Sequence, residues 1–262
     1  MPHDRLLLRT AGASDFDPGH LIDVLGEQRQ RFGDILRGFG PADWAAATRC
    51  TQWSAQDVVR HLCDVSAVAI TAGPDDQTLD FTRGFDPRAT PRRWLAATAG
   101  ERPAVTLDRF LSTTGDLLAV ARDRLAQGRS FDVRLPGGPI DWTVLILHIF
   151  WDSWIHERDV LLARDLSHAT DGDAIAYSAA YGVFIAAAIT AMLGGQAART
   201  LTLSGDGGGV YQVDHEHGLV TLTVTRGSAA GPPAAEMADM LGGRAPAGAR
   251  LSPVASFFNT QD

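Results

Sequence analysis

Three polar residues in one apolar segment have a spacing that suits metal or acid–base chemistry. His148, Asp152 and His156 follow one another at intervals of four. In a helix they lie along one face together with Leu145 and Ile149, so that this face is predicted to point inward. An ionised carboxylate on such a face costs several kcal/mol unless it is paired or bound to a metal. We therefore hypothesise that Asp152 and His156 present two ligands to one divalent ion.

His61 is the candidate third ligand. It lies on the same face of a predicted helix as Val58 and Val65, within residues 54–71. Three protein ligands leave one position open for water or substrate, which is typical of catalytic metal sites. The alternative is a buried Asp–His hydrogen bond that only fixes helix packing, and spacing alone does not separate the two. His148 is a further candidate, either as an extra ligand or as a nearby base.

Helices are the elements that must position these residues. Helical periodicity predicts them at residues 18–39, 54–71, 105–127, 141–164 and 171–195. Ser54, followed three positions later by Asp57, is a short version of the capping box that begins a helix. Residues 73–103 contain several prolines and predict a long loop, with at most a short helix near residues 92–98. We expect this loop to form a lid or a pocket wall.

The pattern changes after residue 195. Residues 201–204 and 220–225 alternate apolar and polar positions, which predicts strands. Residues 209–213 predict another strand, residues 214–218 a hairpin turn, and residues 232–241 a short helix. We expect a mainly α protein, with a helical bundle over residues 1–197 and a small α+β domain over residues 198–262.

Composition excludes several classes of function. The chain of 262 residues has a formal net charge of −8 and no basic cluster, which argues against nucleic acid as a partner. All 23 basic residues are arginine, so Schiff-base and P-loop lysines are excluded. Two cysteines, Cys50 and Cys63, are too few for a disulfide framework and fit a reducing cytoplasm. Cys63 lies about 200° around its helix from His61, so we expect it to be inert packing.

One segment tests the expectation of a cytoplasmic protein. The first residues contain no long apolar core and no small-residue cleavage signal, so we expect no export peptide. Residues 174–193, however, carry no charge and are long enough to cross a bilayer. The run is rich in alanine, contains Tyr177 and Tyr181, and lacks flanking basic anchors. These features favour a central buried helix, and we expect no membrane span.

Three motifs carry a resemblance to a known family. Residues 53–62, Trp-Ser-Ala-Gln-Asp-Val-Val-Arg-His-Leu, resemble the Trp-Ser/Thr-x3-Val-Val-x-His-Leu motif of the mycothiol-dependent maleylpyruvate isomerase family. Residues 152–160 are similar to its Glu-x3-His-x2-Asp-hydrophobic motif. Residues 240–244, Met-Leu-Gly-Gly-Arg, are similar to the Leu-x-Gly-Arg element of its C-terminal, sterol-carrier-like domain. The motifs occur in the family's order and fall in both predicted domains.

The resemblance implies a DinB-like up-down four-helix bundle followed by a small sterol-carrier-like domain. It implies a divalent metal, zinc in the isomerases, held by His61, Asp152 and His156, with mycothiol bound to it as thiolate. Arg244 would bind a substrate or thiol carboxylate, unless it is simply a surface arginine. The family usually has Glu at the position of Asp152, so metal identity and occupancy stay open.

Asp159 is the remaining candidate in the site. It would orient His156 or a nearby backbone group from outside the ligand set, unless it is an exposed charge near the helix end. We expect a metal-dependent, mycothiol-using enzyme that acts on a small electrophile by S-transfer or by cis–trans isomerisation through thiolate addition. Because of Asp152 we rank transfer first. The alternatives are a thiol-independent metal enzyme, such as a hydrolase, and a non-catalytic binding protein. In every case we expect a monomer or a homodimer.

Overall fold

The computed structural model describes residues 5–80, 83–168 and 171–244. About half of the chain is helical, and the strands are short. In chain order the elements are β1 (Arg5–Arg9), α1 (Pro18–Arg37), α2 (Pro41–Trp44), α3 (Ala55–Thr71), α4 (Ala89–Ala97), α5 (Pro103–Ala126), β2 (Asp132–Leu135), β3 (Gly138–Asp141), α6 (Trp142–Leu162), α7 (Gly172–Met192), β4 (Arg199–Leu203), β5 (Gly209–Glu216), β6 (Leu219–Arg226) and α8 (Ala234–Leu241). The five long helices predicted from periodicity are confirmed.

Helices α1, α3, α5 and α6 enclose a common core. α1 and α3 each contact both α5 and α6. One fully buried side chain from each helix meets in this core: Phe32, Val58, Phe110 and Val160. Burial of these apolar faces is the main favourable term that holds α3 against α6. The packing shows a helical bundle, and the more specific assignment of a DinB-like bundle stays a prediction.

The sheet has the strand order β1-β6-β5-β4, and its neighbours are antiparallel. The predicted turn at residues 214–218 is too long, because β5 continues to Glu216 and pairs there with Leu219. His217 and Gly218 form the actual turn, with φ of 51° and 79°. Two successive positive φ values are typical of a type I′ hairpin, whose twist matches that of its strands.

Strand β1 was not predicted, yet it forms one edge of this sheet. It pairs with β6 in a register that places Leu8 opposite Leu222, and both are fully buried. The N-terminal segment therefore packs with strands from the far end of the chain. The predicted boundary at residues 197/198 stays a prediction, and residues 245–262 lie outside the described residues.

Helix α7 is apolar on all sides. It contacts α6, α8 and the strands β5 and β6, so it packs between the bundle and the sheet. In the described part of the chain, it is the one helix long and apolar enough to cross a membrane, and 78% of its most apolar window is buried inside the protein. The prediction of a buried helix is confirmed, and contacts on all sides explain its lack of a polar face.

Candidate metal centre and pocket

The start of α3 is set by the predicted capping box. The Ser54 hydroxyl accepts from the Asp57 amide at 3.2 Å, and the Asp57 carboxylate accepts from the Ser54 amide at 2.9 Å. Burial acts to raise the pKa of Asp57, but hydrogen bonds from Ser54 and Arg60 lower it overall. The box satisfies backbone donors that would otherwise lack partners and fixes where α3 begins. It thereby sets the direction of His61.

His61 from α3 meets Asp152 and His156 from α6. The His61 Nε2 atom lies 3.4 Å from Asp152 Oδ2, and the His156 Nε2 atom lies 3.5 Å from Asp152 Oδ1. One ligand atom from each of the three residues lies within 4.8 Å of the other two. The structure thus brings together the three residues that the sequence analysis chose as metal ligands.

These distances fit a divalent cation. Two ligands each about 2.1 Å from a tetrahedral zinc ion lie roughly 3.4 Å apart. Asp152 Oδ2 is buried, and its 3.4 Å approach to His61 Nε2 is not a well-aligned hydrogen bond in the described structure. A buried carboxylate oxygen without a donor is costly, and a cation would satisfy it. The shorter side chain of Asp152 therefore does not prevent a three-ligand set.

The protonation states also suit a cation. Burial acts to raise the pKa of Asp152, but His61 and His156 hold it well below its usual range, so the carboxylate is ionised at neutral pH. Burial lowers the pKa of His156, which keeps its imidazole neutral. An ionised carboxylate and a neutral imidazole are the forms that bind metals.

Asp159 lies within hydrogen-bond distance of His156, and its role in orienting that imidazole stays a prediction. Its Oδ2 atom lies 3.0 Å from His156 Nδ1, and the Asp159 side chain is completely buried. Burial acts to raise the pKa of Asp159, but Arg244 and His156 hold it well below its usual range. The carboxylate is therefore ionised, and we assign the proton on Nδ1 as its donor. The lone pair of His156 Nε2 is then left for the metal position.

Arg244 lies on the other side of Asp159 and is buried, so it is not a surface arginine. Its Nε atom donates to Asp159 Oδ1 at 3.1 Å and its Nη2 atom to Oδ2 at 2.5 Å, while Nη1 donates to the Gly242 carbonyl. Gly242 packs against the Ile155 side chain, which places the chain after α8 close to α6. The Arg244 guanidinium, which was predicted to bind a substrate carboxylate, thus already binds the Asp159 carboxylate. Its role toward a substrate stays a prediction.

Cys50 is a site residue that the sequence analysis missed. Its sulfur lies 3.1 Å from Asp159 Oδ2 and 3.2 Å from Arg244 Nη2. Cys50, His156 and Asp159 form a second group with convergent ligand atoms. A cation there would face the Arg244 guanidinium, whose like charge opposes binding. The set containing His61 and Asp152 is therefore the better cation site.

Cys63 and His148 stay outside both groups. Cys63 is fully buried and burial raises the pKa of its thiol to about 11, which suits the predicted packing role. The His148 ring lies 5.2 Å from that of Tyr181, at the wall of the pocket. Burial lowers the pKa of His148 to about 4, so it is neutral at neutral pH.

The three convergent ligands line a pocket with apolar walls. The centres of water-sized spheres can occupy about 90 Å³ of this pocket. Trp53 lies against the site, with its ring 4.9 Å from that of His61. The predicted role of residues 73–103 as a pocket wall is confirmed, since this segment contributes Leu79, Phe85, Pro87, Arg88, Pro91 and Trp94.

The metal-free protein is expected to lose stability as the pH falls from about 6.5 toward 4. The pKa of His148 is about 4 in the folded protein against an ordinary value of 6.5, so the unfolded chain binds more protons in this window. Denaturant midpoints at pH 7.5 and 5.0 would measure the loss. His148→Phe keeps an aromatic ring beside Tyr181 but cannot be protonated, and it is expected to show a smaller loss. An equal loss in both proteins would contradict this assignment.

Comparison with known proteins places the site in a family. The profile described as "Mycothiol maleylpyruvate isomerase N-terminal domain" matches residues 25–161, which include His61, Asp152, His156 and Asp159. No curated protein matches the chain significantly.

Two solved structures share the fold. Crystal structures of the mycothiol-dependent maleylpyruvate isomerase and of a histidine-to-alanine mutant superpose with TM-scores of 0.53 and 0.55. Each alignment covers 88% of this chain and 90% of the other, at 13% sequence identity, which shows a common fold. Because the family profile covers more than half of the chain, the protein belongs to the mycothiol maleylpyruvate isomerase N-terminal domain family.

Proposed function

We propose that this protein is a divalent-metal-dependent enzyme that uses mycothiol to act on a small electrophile. The convergence of His61, Asp152 and His156 at an apolar pocket is the observation that carries the proposal. Family membership supports mycothiol as the thiol and isomerisation as the reaction. Zinc is the proposed cation, because two imidazoles and one carboxylate suit it.

The chain's own residues prepare the site for a thiolate. A divalent cation would supply positive charge that lowers the pKa of a thiol bound beside it, so that thiolate forms at neutral pH. Asp152 offsets one of the two positive charges, and Asp159 holds His156 in the tautomer that leaves Nε2 unprotonated. The rings of Trp53 and Trp151 exclude water from the reacting atoms.

The proposed reaction is cis–trans isomerisation of an activated alkene. The thiolate sulfur adds to the β-carbon, and the carbon–carbon π pair moves onto the conjugated carbonyl oxygen as an enolate. After rotation about the resulting single bond, the enolate pair re-forms the double bond and the carbon–sulfur bond breaks. The thiolate is returned, and no oxidant or further reactant is consumed. If the enolate takes a proton at carbon instead, the product is a thioether, which is the S-transfer outcome.

A test that needs no knowledge of the substrate uses cobalt. The protein is purified without a histidine tag, its metal content is measured by mass spectrometry, and the metal is exchanged for Co²⁺. Added mycothiol is expected to produce sulfur-to-cobalt charge-transfer absorption, whereas S-methylated mycothiol is not. His61→Ala is the control and should bind no cobalt. Stoichiometric cobalt without a response to mycothiol would favour a thiol-independent enzyme, and failure to bind metal after reconstitution would overturn the proposal.

A further inference from the structure

His148 is a pocket residue that belongs to neither group of convergent ligand atoms. It lies on α6 one helical turn before Asp152, which is a rise of about 6 Å along the helix axis, and it forms part of the pocket wall. The Tyr181 ring from α7 packs against it, with ring centroids 5.2 Å apart. The imidazole therefore borders both the pocket and a buried tyrosine.

The two ring nitrogens of His148 have different surroundings. Nδ1 is sealed from water and has no hydrogen-bond partner among the described residues. Nε2 has no partner there either, but it is not sealed from water in this way, so it is the ring nitrogen that is open to the pocket. A ligand in the pocket can reach Nε2, whereas Nδ1 can be satisfied only from inside the protein.

Tyr181 is placed to satisfy Nδ1 of His148. Its side chain is completely buried, and its hydroxyl oxygen also lacks a hydrogen-bond partner within the described part of the chain. Burial raises the pKa of Tyr181 well above its usual range, so the hydroxyl keeps its proton and can donate it to a hydrogen bond. A hydrogen bond from this hydroxyl to Nδ1 would remove the cost of two buried polar atoms without partners. The single proton of the neutral imidazole would then lie on Nε2, toward the pocket.

The imidazole of His148 is an uncharged donor at neutral pH, because burial lowers its pKa to about 4. An uncharged N–H group can bind an oxygen atom without bringing a second positive charge close to the proposed cation. Neutral imidazoles polarise substrate carbonyl groups in this way in other enzymes. The acceptor that suits His148 is therefore a carbonyl oxygen, or the enolate oxygen that forms from it.

We propose that His148 Nε2 donates a hydrogen bond to the carbonyl oxygen of an α,β-unsaturated carbonyl compound bound in the pocket. The role of this compound as a substrate rests on the proposed function, whereas the hydrogen bond itself requires no thiol. When the thiolate adds to the β-carbon, negative charge moves onto this oxygen, and the hydrogen bond stabilises the enolate more than the ground state. The proton stays on Nε2 throughout, and Tyr181 is the positioning residue that keeps it there.

The probe 4-dimethylaminocinnamaldehyde tests this hydrogen bond without thiol. Its absorption band moves to longer wavelength when its carbonyl oxygen accepts a hydrogen bond, and the chain has no lysine with which the aldehyde could form a Schiff base. With the full-length protein as purified, the bound probe is expected to absorb at longer wavelength than with His148→Phe. The same variant is expected to bind the probe about 3–10-fold more weakly. His148→Gln keeps an amide N–H group near the position of Nε2 and is expected to retain the shifted band.

Tyr181→Phe tests the source of the tautomer, because it removes only the hydroxyl group. It is expected to lose part of the shift, since the imidazole proton is then free to move to Nδ1. Tyr177→Phe is the matched control on the same helix, one turn earlier. The Tyr177 ring contacts His20 and Phe150 instead of His148, so this variant is expected to leave the band unchanged.

The outcomes separate this inference from the proposed function. Failure of the probe to bind, or a band in His148→Phe equal to that of the original protein, would overturn the inference even if cobalt responds to mycothiol. Loss of the shift in His148→Gln as well would assign it to ring packing and not to an N–H donor, which also overturns the inference. Equal bands in the two tyrosine variants would remove Tyr181 from its positioning role. A shift that depends on His148, without a cobalt response to mycothiol, would overturn the thiol enzyme and leave the carbonyl-binding site standing.

Discussion

Asp152→Ala is expected to abolish stoichiometric metal binding, with the affinity for zinc reduced by more than about 100-fold. Asp152 lies 3.4 Å from His61 Nε2 and 3.5 Å from His156 Nε2, so its carboxylate is shared by the two imidazoles. Its loss removes the negative charge as well as a ligand. Metal content by mass spectrometry and competition titration with a chromophoric chelator would measure the change.

Two further variants make the result specific. Asp152→Glu restores the residue usual in the family and is expected to stay within about tenfold of the original affinity, because it keeps the charge and adds only one methylene. Cys50→Ser removes a member of the second candidate group and is expected to keep the metal. If Cys50→Ser loses the metal and Asp152→Ala retains it, the cation site is the group of Cys50, His156 and Asp159 instead.

Asp159→Leu is expected to destabilise the protein by about 3–5 kcal/mol, because it leaves the buried Arg244 guanidinium without its partner. The two side chains are 5% and 0% exposed, so water does not replace the lost contact. His156 Nδ1 loses its acceptor in the same change. Urea denaturation of the metal-free protein would measure the loss. Asp23→Ala breaks a pair with Arg122 whose side chains are 64% and 56% exposed and is the control, with an expected loss below about 1 kcal/mol.

A double variant separates stability from metal affinity. Asp159→Leu combined with Arg244→Met removes both charges and is expected to recover much of the lost stability. Zinc affinity should stay about 10–100-fold below that of the original protein in the double variant, because His156 still lacks the acceptor that fixes its tautomer. A double variant no more stable than the single one would show that the ion pair is not the cause of the loss. Full recovery of zinc affinity would remove Asp159 from its role toward His156.

Local periodicity was sufficient to predict the five long helices and the alignment of the site on α6, whereas the short helix α2 was not predicted. Asp152 and His156 share a face because residues four apart in any α-helix do so. The capping box at Ser54 is equally local, since its two partners are three residues apart. The sequence supported the placement of His61 opposite Asp152 only as a hypothesis, because this contact requires the apolar faces of α3 and α6 to pack together.

Contacts between distant parts of the chain could not be read from such patterns. Arg244 lies 85 residues from Asp159, and Cys50 lies 109 residues before it, in a loop with no periodic signal. The pairing of β1 with β6 joins the first and the last strand of the described chain. Helical hydrogen bonds and side-chain stacking act over three to four residues, so sequence spacing encodes them directly. The packing of whole helices and strands decides which charged side chain contacts a buried carboxylate and which strand forms a sheet edge. The same tertiary packing determines the environment of His156.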